Sequence, residues 1–313
     1  MPLSIDVVIP TYNRSVLLEK AVRSLLAAPV PEGLIRRILV VDNNSTDSTA
    51  FTLRRLAEAN PGVVLAIRER QQGRSAALNA GIRAASAELI GFIDDDETVT
   101  PEWYSAIFAA MGDSDLDFIG GPVVGEWEVA PPPWLPAGLP GVLGLVDGGR
   151  EIRPFDADYP GILMGGNCVI RRGVFDKVGL YSTELGRTSS GLLSGEDHDL
   201  YLRLLGAGMR GSYRPDLEIR HFIPRNRVTR KYFRSWCFWH GVSMGSWSRT
   251  HREPVPHLGG IPRYNFGAAL RGMMAMLNRS PGERFGGELE LWNLAGMLYG
   301  RHFAGRKKPS GPS

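Results

Sequence analysis

Short apolar runs alternate with amphipathic stretches through the first hundred residues. Residues 5–9, 37–41, 63–67 and 89–93 are compact apolar segments bounded by turn formers, the pattern of buried strands. Between them, Val16, Leu17, Ala21, Val22, Leu25 and Leu26 recur at helical spacing. Residues 47–59 predict a second helix, with Ser45 or Asp47 as its cap, and residues 75–85 an alanine-rich third. Pro101 opens another, running to about Met111, because proline is tolerated in a first helical turn. Repeated strand–helix alternation predicts an α/β fold, with a mostly parallel central sheet and helices on both faces. Ligands of such sheets gather at the loops that follow the strands. The polar punctuation falls there, at residues 11–13, 42–46, 70–74 and 94–96.

Beyond residue 120 the texture changes. The prolines at 131–133 and 136 and many glycines predict a long excursion without regular structure over residues 120–160. Trp127, Trp134, Phe155 and Tyr159 favour an ordered, ligand-facing loop there. Order resumes with a strand at 165–170, a helix at 172–178, a helix from 195 to 206 or 208, and a strand around 217–219 followed by His221. From residue 229 the pattern predicts three helices, 229–249, 261–277 and 282–303, with a linker at 251–262. In the second, Met273, Met274, Met276 and Leu277 read as ordinary helix-face packing. No internal repeat is evident.

Composition narrows the class. The 313 residues are 43% hydrophobic and 22% charged, ordinary for a folded protein with ample core. A net charge of +3 gives no ground for a nucleic-acid partner. No apolar run approaches the roughly 20 residues of a spanning helix, and residues 1–6 lead straight into a strand, so neither a signal peptide nor integral insertion is expected. Cys168 and Cys237 lie far apart among apolar neighbours and read as reduced core residues, which makes a cytoplasmic location the expectation.

The sharpest chemical signal is Asp94-Asp95-Asp96, directly after the strand at 89–93. Three adjacent carboxylates repel one another unless positive charge sits among them. A divalent cation, Mg²⁺ or Mn²⁺, answers this with one or two carboxylates and the phosphates of a substrate. A solvated acidic turn is the plainer alternative. Asp42, at another strand end, can accept a hydrogen bond from a base or a ribose, or serve only as a turn residue.

Residues 6–14 (Asp-Val-Val-Ile-Pro-Thr-Tyr-Asn-Arg), 41–47 (Val-Asp-Asn-Asn-Ser-Thr-Asp), 73–82 (Gly-Arg-Ser-Ala-Ala-Leu-Asn-Ala-Gly-Ile) and 92–96 (Phe-Ile-Asp-Asp-Asp) together resemble family 2 glycosyltransferases of the GT-A fold. With residues 165–167, 195–197 and His221 the resemblance covers about residues 4–225. It implies a single GT-A-type domain over 1–225, with a nucleotide-sugar-binding half at 1–119 and an acceptor and catalytic half at 120–225. Residues 226–313 would form a helical extension. It also implies a nucleotide-sugar donor, first a UDP-sugar, a divalent cation, and transfer with inversion to a glycan or lipid-linked acceptor.

Carried over by position, Pro10, Tyr12 and Asn13 line the nucleobase pocket and Asp42 binds the base. Arg74 stands near the diphosphate, with Asn79 behind it. Asp94 and Asp95 lie on the donor side, and Asp96 is the direct metal ligand. Glu196-Asp197 falls where the family places its base; Asp197 is the expected base and Glu196 its orienting partner or an acceptor contact. Helix capping is the alternative for that pair. Gly166, Asn167 and Trp134 are the expected acceptor contacts. His221 either completes the metal shell or is structural, and Arg225 and Arg227 are either a lid over the diphosphate or surface charge.

Trp236, Phe238, Trp239 and Trp247 interleave with Arg230, Lys231, Arg234 and Arg249, and Arg301, Arg306, Lys307 and Lys308 crowd the tail. Packing of the aromatics onto the catalytic domain is the favoured reading; a peripheral membrane anchor on the inner face is the other. A sugar-phosphate nucleotidyltransferase would carry a glycine-rich, basic loop after the first strand, where Pro-Thr-Tyr-Asn-Arg stands instead. A dinucleotide-binding oxidoreductase would need Gly-x-Gly-x-x-Gly there. A non-catalytic sugar- or nucleotide-binding module would have little use for both Asp96 and Glu196-Asp197.

Overall fold

The computed structural model describes residues 2–112, 114–136, 140–156, 158–159, 161, 163–183, 195–249 and 254–303. The chain divides into two compact units: residues 1–126, 144–189 and 196–222 form the first, and residues 127–143, 190–195 and 223–313 the second.

The first unit opens with β1 (Leu3–Thr11), α1 (Ser15–Ala27), β2 (Leu34–Asp42), α2 (Thr49–Ala59), β3 (Val64–Arg68), α3 (Arg74–Ala84) and β4 (Leu89–Phe92). Then follow β5 (Glu97–Val99), α4 (Trp103–Met111), β6 (Phe118–Gly120), β7 (Val123–Trp127), β8 (Arg153–Phe155) and β9 (Cys168–Arg171). It closes with α5 (Val174–Val178), α6 (Glu196–Gly206), β10 (Gly211–Tyr213) and β11 (Ile219–Ile223). Eight strands form one sheet in the order β3-β2-β1-β4-β9-β6-β10-β8. The first four are parallel, whereas β9 runs antiparallel to both β4 and β6. A smaller sheet has the order β5-β11-β7.

Both faces of the large sheet are buried, which is why its strands read as unbroken apolar runs. Ile5, Val7 and Ile9 of β1 pack with Leu18, Val22 and Leu25 of α1, Leu53 and Leu56 of α2, and Trp103 and Ile107 of α4. Val8, on the opposite face, joins Ala77, Leu78 and Ile82 of α3 with Phe175 of α5 and Leu204 of α6. Cys168 and Cys237 are buried free thiols.

Several expectations are corrected. The stretch 120–160 carries β7, β8 and a 3-10 turn, Pro140–Leu143, rather than lacking regular structure. The strand expected at 217–219 lies later, as β11, and β10 precedes it, so His221 stands inside a strand and not after one. Ser45 caps no helix: Ser48 is the first residue outside α2, and Asp47 Oδ1 accepts from Thr49 N at 2.9 Å.

The second unit holds α7 (Arg230–Trp247), a short hairpin of β12 (His257–Leu258) and β13 (Ile261–Pro262), α8 (Arg263–Ala275) and α9 (Pro281–His302). Thr229 caps α7 through Tyr232 N, and Ser280 caps α9 with Pro281 in its first turn. The helices meet along glycine seams. A Cβ on Gly241 or Gly245 would stand 2.1 Å from the carbonyl oxygens of Asn293 and Met297, and one on Gly296 or Gly300 would stand 2.0 Å from Phe238 O or 2.2 Å from Val242 O. Gly287 of α9 lies as close to Gly272 O, with 2.2 Å for an added Cβ. These contacts are backbone to backbone.

Most of the aromatics of α7 are engaged inside this unit. Trp236 stacks on His240, Phe238 meets Trp292 and Tyr299, and Phe233 meets Trp134 and Phe285. The methionine-rich face of α8 is not packed: Met273, Met274, Met276 and Leu277 are all exposed, against the expectation. Among the described residues no helix is long and apolar enough to cross a membrane. The basic tail at Arg306, Lys307 and Lys308 lies outside the described residues.

Candidate active site

Parallel pairing sets Thr11 beside Asp42 and Val8 beside Phe92, so the loops after β1, β2 and β4 emerge side by side. Asn13 stitches the first two. It adopts a left-handed φ of 54°, its Oδ1 accepts from Thr46 N at 2.7 Å, and its own N donates to Ser45 Oγ at 3.0 Å. Asp42 is buried and its Oδ1 accepts from Ser45 N at 3.0 Å, so it also shapes its turn. Asn43 ties in the third loop, donating to Gln71 O at 2.7 Å and accepting from Gly73 N at 2.7 Å. Pro10 is buried at the end of β1, while Tyr12 stands out from the same loop, 36% exposed. Pro10, Tyr12, Asn13 and Asp42 are therefore brought together as one wall.

The acidic strand end is richer than the triplet. Asp95, Asp96 and Glu97 are buried, and Glu97 Oε2 accepts from Asp94 N at 2.8 Å. Burial first, then the charges of Asp94 and Asp96, pushes the Glu97 carboxyl well above the usual range. Burial likewise pushes Asp95 up to about 7, with Asp96 adding to the rise, although Arg14 and a hydrogen bond from Thr11 Oγ1 at 2.8 Å oppose it.

Two arginines balance this charge. Arg14 Nη1 lies 2.9 Å from Asp95 Oδ1 and 2.5 Å from Asp96 Oδ2. Arg74 opens α3 and reaches three carboxylates: Nη2 to Asp94 Oδ1 at 3.0 Å, Nη1 to Glu196 Oε1 at 3.2 Å and Nη1 to Asp197 Oδ1 at 3.1 Å. Although desolvation works against it, these carboxylates hold the Arg74 guanidinium well above its ordinary value. Neither Arg14 nor Glu97 is among the site residues expected from the sequence. The arginine that ends residues 6–14 was the available signal for the first, and the extension of the acidic run by one residue was the signal for the second.

Glu196 and Asp197 begin α6, where carboxylates complement the helix dipole. Both also face Arg74, so their place in the first turn does not exhaust their contacts. Gly165 and Gly166 make room for the acids: an added Cβ would stand 2.1 Å from Asp197 Oδ1 at the first and 2.5 Å from Glu97 Oε1 at the second. Gly166 thus serves close packing and presents no side chain to an acceptor.

His221 converges on Asp96, with Nε2 3.4 Å from Asp96 Oδ2 and both side chains buried. A carboxylate and an imidazole suit a divalent cation, and Mg²⁺ or Mn²⁺ takes its remaining ligands from substrate phosphates and water. Among the described residues no group of three His, Cys, Asp or Glu side chains could hold a metal unaided. Asp96 and His221 are the pair that could offer such an ion two ligands, and the same Asp96 oxygen takes Arg14 Nη1 at 2.5 Å.

Three other expected contacts are committed elsewhere. Asn167 is fully buried: its Nδ2 donates to Pro122 O at 3.0 Å and Leu217 O at 2.6 Å, and its Oδ1 accepts from Trp103 Nε1 at 3.2 Å. Asn79 exchanges hydrogen bonds with the backbone of Tyr181, 2.9 Å each way. Both N–H donors of the Asn167 amide are spent on the fold, and Asn79 holds the backbone of Tyr181. Trp134 belongs to the helical unit, its ring 5.2 Å from Phe285 and 5.7 Å from Phe233. Arg225 pairs with Glu128 at 3.4 Å, an ordinary surface pair.

The sequence profile of glycosyl transferase family 2 matches residues 6–179. The chain is 27% identical over 228 residues to the succinoglycan biosynthesis protein ExoM of Rhizobium meliloti, covering 72% of this chain and 69% of that protein. It is 25% identical over 254 residues to the glucosyl-dolichyl phosphate glucuronosyltransferase of Haloferax volcanii, covering 77% and 76%. The match to glycosyltransferase AglE of the same organism spans only 39% of that protein. Among solved structures, a mannosyltransferase from Pyrobaculum calidifontis in complex with GDP-Man and Mn²⁺ superposes with a TM-score of 0.61 at 15% identity, covering 95% of this chain and 86% of that one. GalNAc-T7 with UDP, GalNAc and Mn²⁺ gives 0.54 at 18% identity, covering 85% and 54%. At these identities the structural likeness speaks to the GT-A fold.

Proposed function

The chain belongs to glycosyl transferase family 2, and from that premise we propose that it moves a sugar from a nucleoside-diphosphate donor to a hydroxyl of a glycan or lipid-linked acceptor, by direct displacement with inversion. A UDP-sugar is the first donor to try. The single observation that carries this reading is the reach of Arg74, whose one guanidinium joins Asp94 to Glu196 and Asp197. That one guanidinium meets all three supports reading Asp94 as the donor-side carboxylate and Asp197 as the base of a single site.

In this reading the wall of Pro10, Tyr12, Asn13 and Asp42 takes the nucleobase and ribose, and Asp94 and Asp95 lie toward the ribose and sugar. Asp96 and His221 would hold a divalent cation, which supplies Lewis-acid stabilisation to the departing diphosphate when bound. Asp197 accepts the acceptor hydroxyl's proton as that oxygen bonds to the anomeric carbon and the carbon–oxygen bond to the diphosphate breaks. Glu196 orients it. Residues 1–119 would serve the donor and 120–225 the acceptor and catalysis, with 226–313 as an extension. The work would be done at the cytoplasmic side, in polysaccharide or glycolipid assembly, with the enzyme peripheral to the inner face of the membrane.

The test pairs two variants. Asp96→Ala is expected to abolish transfer and cation-dependent donor binding while circular dichroism shows the fold retained, since Arg14 keeps Asp95 as a partner. Asp197→Asn keeps the shape but cannot take the proton, so kcat should fall roughly a hundredfold or more with donor affinity little changed. Near-parental turnover in Asp96→Ala, full activity in excess chelator, or loss of donor binding in Asp197→Asn would overturn these assignments.

A further inference from the structure

Helix α8 is built inside out. It faces α9 with its smallest residues: Gly272 and Ala269 are buried, and Gly272 nearly touches the backbone of Gly287. Its large side chains point the other way. Leu270 is 58% exposed, Met273 49%, Met274 69%, and Leu277, in the turn that ends the helix, 87%. Arg263, Gly267, Leu270, Met274 and Leu277 follow one another at four- and three-residue steps, so they form a single stripe, with Met273 beside it.

The charge on this element has one sign. No Asp or Glu occurs between Pro254 and Gly282, whereas Arg263, Arg271 and Arg279 are all exposed. A folded protein seldom leaves so continuous an apolar stripe in water without a use for it. An acid-free helix with an outward apolar face and arginines along it complements an anionic lipid surface, where such a helix lies in the plane of the headgroups. Methionine suits a fluid partner, because its unbranched chain adapts to irregular surroundings.

We propose that the outward face of α8, Leu270, Met273, Met274 and Leu277 edged by Arg263 and Arg271, docks on an anionic lipid bilayer. This surface, and not the tryptophans of α7, seats the protein on lipid. The assignment gives the peripheral location proposed above a definite face, and it does not depend on the identity of donor or acceptor.

Co-sedimentation of the full chain with phosphatidylcholine vesicles, with and without phosphatidylglycerol, at low and high salt, tests it. The parent should bind the anionic vesicles. Leu270→Ser with Met274→Ser and Leu277→Ser should lower the partition coefficient at least about tenfold, since the apolar area that would leave water is removed. Arg263→Gln with Arg271→Gln should erase most of the preference for anionic lipid. Helicity by circular dichroism and cation-dependent nucleotide binding should stay at parental levels in both variants. A parent that ignores both vesicle types, or a triple serine variant that still binds, overturns the proposal. So does a parent dimer that the serine variant renders monomeric while vesicles have no effect, which would assign the face to a second copy of the chain. Loss of nucleotide binding with vesicle binding intact would count against the transferase reading and leave this one standing.

Discussion

Replacing Arg74 by methionine keeps most of the side-chain volume and removes the charge that three carboxylates share. The arginine side chain is only 15% exposed, and its partners are Asp94 at 31%, Asp197 at 20% and Glu196 at 7%. Removing one partner of a fully buried pair costs about 3–5 kcal/mol, whereas an exposed pair is worth about 1 kcal/mol or less. Glu196 sits near the first limit. Asp94 and Asp197 reach water and recover part of their hydration. The expected loss is therefore about 2–4 kcal/mol, which at about 2–4 °C per kcal/mol lowers Tm by roughly 5–15 °C. Calorimetry and urea unfolding of parent and variant measure it. Adding Asp94→Asn to Arg74→Met should return part of the loss, because one uncompensated carboxylate disappears. Arg74→Lys should recover less than the parent, since a point charge cannot serve both sides as the planar fork does. A loss below about 1 kcal/mol in Arg74→Met would refute the reasoning, for it would mean that the three acids are held apart by something else.

Asn167→Ala should destabilise by about 2–6 kcal/mol, since Leu217 O and the Trp103 indole N–H lose this buried partner, each at about 1–3 kcal/mol, while Pro122 O still accepts from Ile219 N; urea unfolding that shows a change under about 1 kcal/mol would contradict this account of the amide. Burial, with the charge of Asp197 adding to it, holds the Cys168 thiol well above its usual range, and burial pushes Cys237 up to about 12, so neither should react with a disulfide reagent at mildly alkaline pH until denaturant is added. Rapid labelling of the native protein would show that one of these sites opens. In the proposed mechanism Arg74, paired with Asp197 at 3.1 Å, would turn to the diphosphate of a bound donor, so the donor should bind before the acceptor. Initial-rate patterns of a random mechanism, with tight acceptor binding to the donor-free enzyme, would disprove that order.

The first half of the fold was legible because β1, β2 and β4 are buried on both faces and stand out as apolar runs between helices of unambiguous period. The later strands were not. Gly211–Tyr213 and Arg153–Phe155 are three residues each and sit among glycines and prolines, and short lengths carry no periodicity. His221 was found as a residue but misplaced in its element. In the site, the acidic triplet and Glu196-Asp197 declared themselves by type and position. Asn79, Asn167 and Gly166 did not, because a sequence shows that an amide or a glycine is present without showing whether the backbone has already claimed it. Met273, Met274, Met276 and Leu277 read as helix-face packing and are exposed instead, since apolar residues on a helix look the same in sequence whether they face a neighbouring helix or the outside.

The glycine seams of the helical unit have a consequence for its autonomy. Helix α9 carries glycine at 282, 286, 287, 296 and 300, and each such residue weakens an isolated helix by about 1 kcal/mol relative to alanine. A peptide of that sequence would spend most of its time unwound. What holds it helical is the close approach that the same glycines permit to Phe238, Val242 and Gly272. The three helices have exchanged independence for proximity, so they should form and melt as one cooperative element, their amide hydrogens exchanging together and not helix by helix.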